Sequence, residues 1–247
     1  PGTGDNMAAA LGLGLRPGDV VISLGTSGTV YAVSDTGTAD PTGAVAGFAD
    51  AGGRFLPLVC TLNATKVTDT VAGLIGADRD EFATLALAAD SDHGPTLRPY
   101  LDGERTPNLP DARGALFGLT TSTTRASLAR AAHDGVLCGL LEGVDALLAC
   151  NVVVDGRRFL VGGGARSAAY RQRCADLMES PVTVPDHDET VATGAALQAA
   201  AVHSGLDVAD LAEAWGCGAG TVVEPEAEDG PAVRARYAHH RQAAPHL

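Results

Sequence analysis

The sequence predicts an α/β fold: a mixed sheet flanked by helices. Three observations carry that expectation. Over the first sixty or so positions, short apolar blocks at Val20–Leu24, 29–33, 45–48 and 54–59 are separated by glycine-rich turns, as in an antiparallel meander. After Leu62 the apolar spacing becomes helical, with Val67, Val71, Leu74 and Ile75 on one stripe. From residue 125 onward the order is helix, strand, glycine turn, helix, strand, helix, which pairs strands in parallel.

The elements follow in order. Asp5 or Asn6 can cap a short helix over 7–11, which stops around Gly12-Leu13-Gly14. Arg16-Pro17-Gly18-Asp19 is a turn into the first strand, and Gly25-Thr26-Ser27-Gly28 joins it to the second. Phe82, Leu85 and Leu87 mark another helix. The Pro- and Gly-dotted stretch 94–118 is a long loop, and loops of that length are usually functional or wrap an interface. Within it Glu104 and Arg105 are expected to pair and pin the loop. A long helix over 125–149 is capped by Thr123 or Thr124. A strand at 159–161 ends in Gly162-Gly163-Gly164, followed by a helix over 168–178, a strand at 182–184 and a small-residue helix over 189–201. Helices near 208–215 and 232–242 close the chain.

Composition sets the outer bounds. A length of 247 residues fits one large domain or two small ones, with enough core to need no disulfide. Hydrophobic residues at 45% and charged residues at 19% exclude disorder. Acidic side chains number 30 against 17 basic, a net charge of −13, which argues against nucleic-acid partners and anionic membranes. Lys66 is the only lysine. The cysteines number five and show no C-x-x-C spacing; Cys60, Cys138, Cys150 and Cys174 are expected to be buried, reduced thiols, which places the chain in the cytoplasm. No apolar run has membrane-spanning length and no leader opens the chain. The start, Pro1-Gly2-Thr3-Gly4-Asp5, lies inside a glycine-rich loop without an initiator Met, as expected of a fragment or an excised domain.

Three glycine-rich segments can carry chemistry. The turn Gly25-Thr26-Ser27-Gly28 exposes backbone amides in a nest suited to phosphate oxygens, though an ordinary hairpin turn fits the same residues. It is not a Walker loop, because no G-K-[ST] follows. Gly162-Gly163-Gly164-Ala165, between a strand and a helix, lets a flat ligand lie on the backbone near a helix N-terminus; a plain tight connection is the alternative. It lacks the G-x-G-x-x-G dinucleotide pattern. In Gly2-Thr3-Gly4-Asp5-Asn6 a carboxylate at a helix start can accept a proton from an alcohol, or serve only as a cap. His133 is a solvated or core histidine, His239 and His240 lie in a polar tail helix, and Asp186-His187-Asp188-Glu189 is a solvated acidic turn.

Read together, GTGDNMAAALGLG (2–14), GDVVISLGTSGTVYAVS (18–34), LRPYLDGERTPNLPDARGALFGLT (97–120), TRASLARAAHDGVLCGLLEGVDAL (124–147), FLVGGGARSAAYRQRCADLMESPV (159–182) and ETVATGAALQAA (189–200) resemble the FGGY family of carbohydrate kinases in that family's order. The resemblance implies an actin-like ATPase fold of two ribonuclease-H-like domains around a cleft. Residues 1–15 would be the linking loop and helix and 16–247 the C-terminal domain, with the N-terminal domain absent. It implies ATP and Mg²⁺ as cofactors and a sugar as substrate. D-xylulose, giving D-xylulose 5-phosphate, is favoured over gluconate, ribulose, fuculose or glycerol. Asp5 would be the catalytic base, and Asn6 would touch the sugar beside it. Gly25, Thr26, Ser27 and Gly28 would form a phosphate loop, and Gly163, Gly164 and Ala165 the adenosine motif. Thr3 departs from the family's GGGDN and alters loop flexibility. A non-catalytic nucleotide-binding module is the rival from another class. The isolated chain is expected to be inactive, and apolar surface facing the lost domain would favour dimers.

Overall fold

The computed structural model describes residues 2–90 and 94–243. Helix α1 (Asp5–Gly12) leads into an antiparallel meander of β1 (Val20–Leu24), β2 (Gly28–Ala32), β3 (Ala46–Ala49) and β4 (Phe55–Thr61). Helices α2 (Thr65–Leu74) and α3 (Arg79–Leu87) follow, then the short strands β5 (Thr96–Arg98) and β6 (Ala115–Phe117) and the long helix α4 (Arg125–Ala149). The remainder runs β7 (Arg158–Val161), a 3₁₀ turn (Gly163–Arg166), α5 (Ala168–Met178), β8 (Val182–Pro185), α6 (Thr190–Ser204), α7 (Val208–Ala214), β9 (Gly220–Val223) and α8 (Gly230–Ala243). The main sheet has seven strands in the order β3-β4-β2-β1-β7-β8-β9. The β1–β7 and β7–β8 pairs are parallel and the rest antiparallel, so the sheet is mixed as the sequence predicts.

Alternation along the central strands sorts their side chains to two faces. Ile22, Leu24, Val30, Val59 and Leu160 point to one side and bury against Leu137, Leu140 and Leu141 of α4. Val21, Tyr31, Leu58 and Phe159 point to the other and bury against Ala10 and Leu13, at and just beyond the end of α1. Helix α4 sits close because Gly143 faces the sheet: a β-carbon there would already be in tight contact with Val30 and Val59, at 3.3–3.4 Å. The Thr124–Ser127 capping box starts α4, and Asp78 caps α3 by accepting from the Glu81 amide at 2.9 Å. Arg173, 1% exposed, pairs with Asp134 and Asp176 at 2.7 Å and with Asp229 at 3.0 Å, tying α4, α5 and the entry to α8.

The structure corrects several expectations. Gly4, not Asp5 or Asn6, is the N-cap of α1; both polar residues lie in its first turn. There the Asp5 carboxylate accepts from the Asn6 amide at 2.8 Å, which is favourable at the positive end of a helix. The 94–118 loop contains the two-stranded β5–β6 sheet, and β9 adds an edge strand after α7. Cys138 and Cys174 are buried, but Cys60 and Cys150 are only half-buried; all five cysteines are free. His133 is a core residue, stacked on Phe82 at 5.3 Å between ring centroids.

Candidate active site

Strands β1 and β7 are parallel neighbours, with Ser23 opposite Val161. The glycine turn after β1 and the glycines after β7 therefore emerge at the same end of the sheet. Their approach depends on glycine. Gly162 has φ 88°, and a β-carbon there would sit 2.6 Å from the Leu24 carbonyl oxygen. Gly28 is closed off by the core, since a β-carbon there would meet Leu140 at 2.5 Å. Thr65, the first residue of α2, holds the first turn in place: its amide and hydroxyl donate to the Gly25 carbonyl at 3.1 and 2.9 Å. The Ala64 amide donates to the Thr26 carbonyl at 3.2 Å. Thr26, Ser27 and Gly163 remain exposed, while Gly164 and Ala165 are buried.

A cavity of about 580 Å³ opens beside the second of these turns, lined among others by Thr65, Asp69, Phe82, Gly163, Gly164 and Tyr170. Its volume is that of a small-molecule site. Arg79 crosses its rim and pairs with Asp69 through two contacts of 2.9 Å. Asp69, Phe82 and Tyr170 were not foreseen as lining residues. Helical periodicity marks the stripe that faces the core, and this cavity lies between helices.

Asp5 and Asn6 lie outside that cavity; Asp5 lines a separate open pocket with Gly4, Ala8 and the α6 residues Val191, Ala195 and Val202. The Thr29 hydroxyl, just beyond the first glycine turn, donates to Asn6 Oδ1 at 3.5 Å. The charge of Asp5 is felt at two further side chains. Burial, with Asp5 adding to it, pushes the Tyr31 phenol well above its usual range. Burial also raises the Cys60 thiol, with Arg105 opposing and Asp5 reinforcing. Cys60 sits opposite Thr29 across β2–β4, so Asp5, Asn6, Thr29 and Cys60 form one surface. Helix α1 is held there by α6. Gly12 lies against the Thr190 carbonyl and Gly194 against the Ala8 carbonyl, positions without room for any side chain.

Glu104 does not pair with the Arg105 guanidinium. Its carboxylate, 3% exposed, accepts from the Leu62 amide at 2.6 Å, Asn63 Nδ2 at 2.9 Å and the Arg105 amide at 2.7 Å. Long-range donors thus take the place of the neighbour in sequence. Lys66 pairs with Asp102 at 3.1 Å, and both contacts dock the 101–112 loop beside the start of α2. Arg166 of the 3₁₀ turn pairs with Asp188 at 2.5 Å, and His240 stacks on Phe117 at 4.8 Å. Among the described residues, no helix is long and apolar enough to cross a membrane.

Residues 20–203 match the C-terminal domain of the FGGY family of carbohydrate kinases. The chain belongs to this family. A xylulose kinase of Streptomyces rubiginosus is 51% identical over 228 residues, 92% of this chain and 46% of that protein. The xylulose kinase of Streptomyces coelicolor is 50% identical over the same share of each chain. The crystal structure of xylulose kinase from Bifidobacterium adolescentis superposes with a TM-score of 0.82 at 43% identity, over 98% of this chain and 47% of that one. This FGGY domain thus has the actin-like ATPase fold, and the chain spans about half the length of the curated relatives it matches. Asp5 and Asn6 lie before the matched segment, on the helix that α6 holds against it.

Proposed function

We propose that this chain is the nucleotide-binding half of an ATP-dependent sugar kinase that converts D-xylulose to D-xylulose 5-phosphate. The observation that carries the reading is the emergence of two glycine turns from adjacent parallel strands at one end of the sheet, the second of them lining the 580 Å³ cavity and the first tied to Thr65 of the same cavity and neighboured by Asn6. Gly162 and Gly164 let the second turn pack directly on Leu24 and Thr65, which leaves the exposed main chain at Gly163, with open space beside it, to receive a ligand. The xylulose kinases at about half identity support the sugar.

In this reading Gly163, Gly164 and Ala165 lie under the nucleoside and the cavity takes its base. The exposed Thr26 and Ser27, with their amides and hydroxyls, face the phosphates, while the Gly25 amide closes the turn by donating to the Ser27 carbonyl at 3.0 Å and Gly28 lets it pack on α4. Such preorganised donors supply most of what phosphoryl transfer needs from a protein. Asp5 accepts the proton of the attacking sugar hydroxyl, and Asn6 orients both the carboxylate and the sugar. A Mg²⁺ ion would accompany the ATP phosphates and offset their charge, since Mg²⁺ is commonly held by substrate phosphates with few protein ligands. Residues 1–15 form the link and 16–247 the C-terminal domain, opposite an N-terminal domain that supplies the rest of the sugar site. Exposed Val191 and Val202 on α6, beside the Asp5 loop, support a covering domain on that side and association of the isolated chain in its absence. The free thiols support a cytoplasmic setting.

The test is to express the full-length protein that contains this chain and screen sugars by coupled ADP release. Turnover with D-xylulose above gluconate, ribulose, fuculose and glycerol is expected. Absence of ADP release with every sugar would reject the kinase reading. ATP binding without turnover would then favour a nucleotide-binding module.

A further inference from the structure

We infer that Arg105 is a phosphoryl-binding cation, reaching the transferred group from the 101–112 loop anchored beside the first glycine turn. The inference deepens the kinase reading above and rests on it. The first observation is how the loop is anchored. Glu104 is buried and spent on the Leu62, Asn63 and Arg105 donors, so the one carboxylate adjacent to Arg105 in sequence does not pair with its guanidinium. A second bond from Asn63 Nδ2 to the Gly103 carbonyl, at 2.7 Å, tightens the anchor. Ala64 and Thr65, the next residues along the chain, are those whose amides hold the Thr26 and Gly25 carbonyls. The Arg105 loop and the first glycine turn are therefore fixed to the same short segment.

The second observation is the state of the side chain. Arg105 is exposed, and among the described residues its guanidinium makes no hydrogen bond or ion pair. Other cations beside the turns are already engaged: Lys66 pairs with Asp102 at 3.1 Å, Arg166 pairs with Asp188 at 2.5 Å, and Arg171 donates to the Ala165 carbonyl. The third observation is proximity. Cys60 lies within the field of both Arg105 and Asp5, and it faces Thr29, which bonds to Asn6. The unneutralised guanidinium and the Asp5 carboxylate thus both lie near the Cys60–Thr29 pair, on the strands that follow the first glycine turn.

The chemistry at that position has a use for such a group. The sugar hydroxyl oxygen forms a bond to the γ-phosphorus of ATP, and the bond from that phosphorus to the β,γ-bridging oxygen breaks with its electron pair remaining on ADP. The hydroxyl proton passes to Asp5. The group in flight carries its charge on equatorial oxygens, which a planar guanidinium fork matches with two parallel donors. In a chain of net charge −13, a cation left unpaired there also offsets the surrounding acids as an anionic group arrives.

The experiment uses the full-length kinase containing this chain, as wild type, Arg105→Ala and Arg105→Lys, with coupled ADP release and calorimetric ATP binding. Arg105→Ala should lower kcat about a hundredfold. Its ATP affinity should stay within about threefold and its unfolding midpoint should not move. Added guanidinium ion should restore about tenfold of the lost rate. Arg105→Lys should retain more activity than the alanine variant, and inhibition by D-xylulose 5-phosphate should weaken in both. An alanine variant within about twofold of wild-type kcat overturns the inference. So does a loss that neither guanidinium ion nor lysine relieves. A wild type that turns over no sugar overturns the kinase reading and this inference with it. An active wild type with an undiminished alanine variant overturns this inference alone.

Discussion

Gly164 lies against Leu24 with no space for a β-carbon, which would stand 2.7 Å from Leu24 Cβ and 2.8 Å from Thr65 Cγ2. Gly164→Ala must therefore push the 3₁₀ turn away from β1 and α2, at a cost of about 1–3 kcal/mol. The affinity of the chain for a non-hydrolysable ATP analogue should fall about tenfold, measured by calorimetry. Gly73→Ala, on the open side of α2, is the control and should leave binding as it is.

Asp5 is exposed and held by the Asn6 amide, which fixes its carboxylate without burying it. Asp5→Asn in the full-length kinase should lower kcat by about a hundred- to ten-thousandfold with ATP affinity unchanged. Retention of more than about a tenth of kcat would remove Asp5 as the base.

Glu104 answers donors from Leu62, Asn63 and Arg105 while almost wholly buried. Glu104→Ala leaves those donors unpaired inside the fold, a loss of about 3 kcal/mol. Urea unfolding should show this as a lower midpoint with the slope preserved. An unchanged midpoint would mean that the 101–112 loop is held by something other than this carboxylate.

His133 gives the stability a defined pH dependence. Burial pushes its imidazole down from 6.5 to about 4, against the Ala129 carbonyl and Asp134, which favour the proton. The unfolded chain therefore binds one proton more than the folded chain between those values. Stability contributed by neutral His133 is complete above pH 6.5 and is lost as pH falls toward 4, by about 3 kcal/mol. Denaturant titrations over that window should show the slope, and His133→Gln should flatten it. An equal slope in the variant would assign the acid sensitivity to other groups.

The fold was legible where a period was long enough to see. The continuous apolar block at Val20–Leu24 and the helical stripe from Val67 onward mark elements that the structure contains. Strands β5 and β6 were hidden because three residues carry no period. In β5 all three side chains are buried, and Arg98 lies 2% exposed beside the rings of Tyr100 and Phe117. Strand β9 starts at a glycine packed against the Val184 carbonyl, a tertiary contact without a local mark. The glycine turns were visible from their place after strands, whereas their meeting follows from the parallel β1–β7 pairing. Glu104 and Arg105 illustrate the opposite case. Adjacency in sequence suggests a pair, but the loop folds the carboxylate onto the Leu62 amide and onto Asn63, which is buried with it, while the Arg105 side chain stays exposed.

The close approach of Gly12 and Gly194 has a consequence for motion. Because α1 is riveted to α6, the acid at its tip travels with the sheet that carries both glycine turns. When such a cleft shuts, proton acceptor and nucleotide would advance on the sugar as a single rigid jaw. Their mutual spacing would be set at folding and left untouched by each cycle of opening. A larger side chain at either glycine would loosen that jaw, and its first symptom would be wasted collisions between correctly bound reactants.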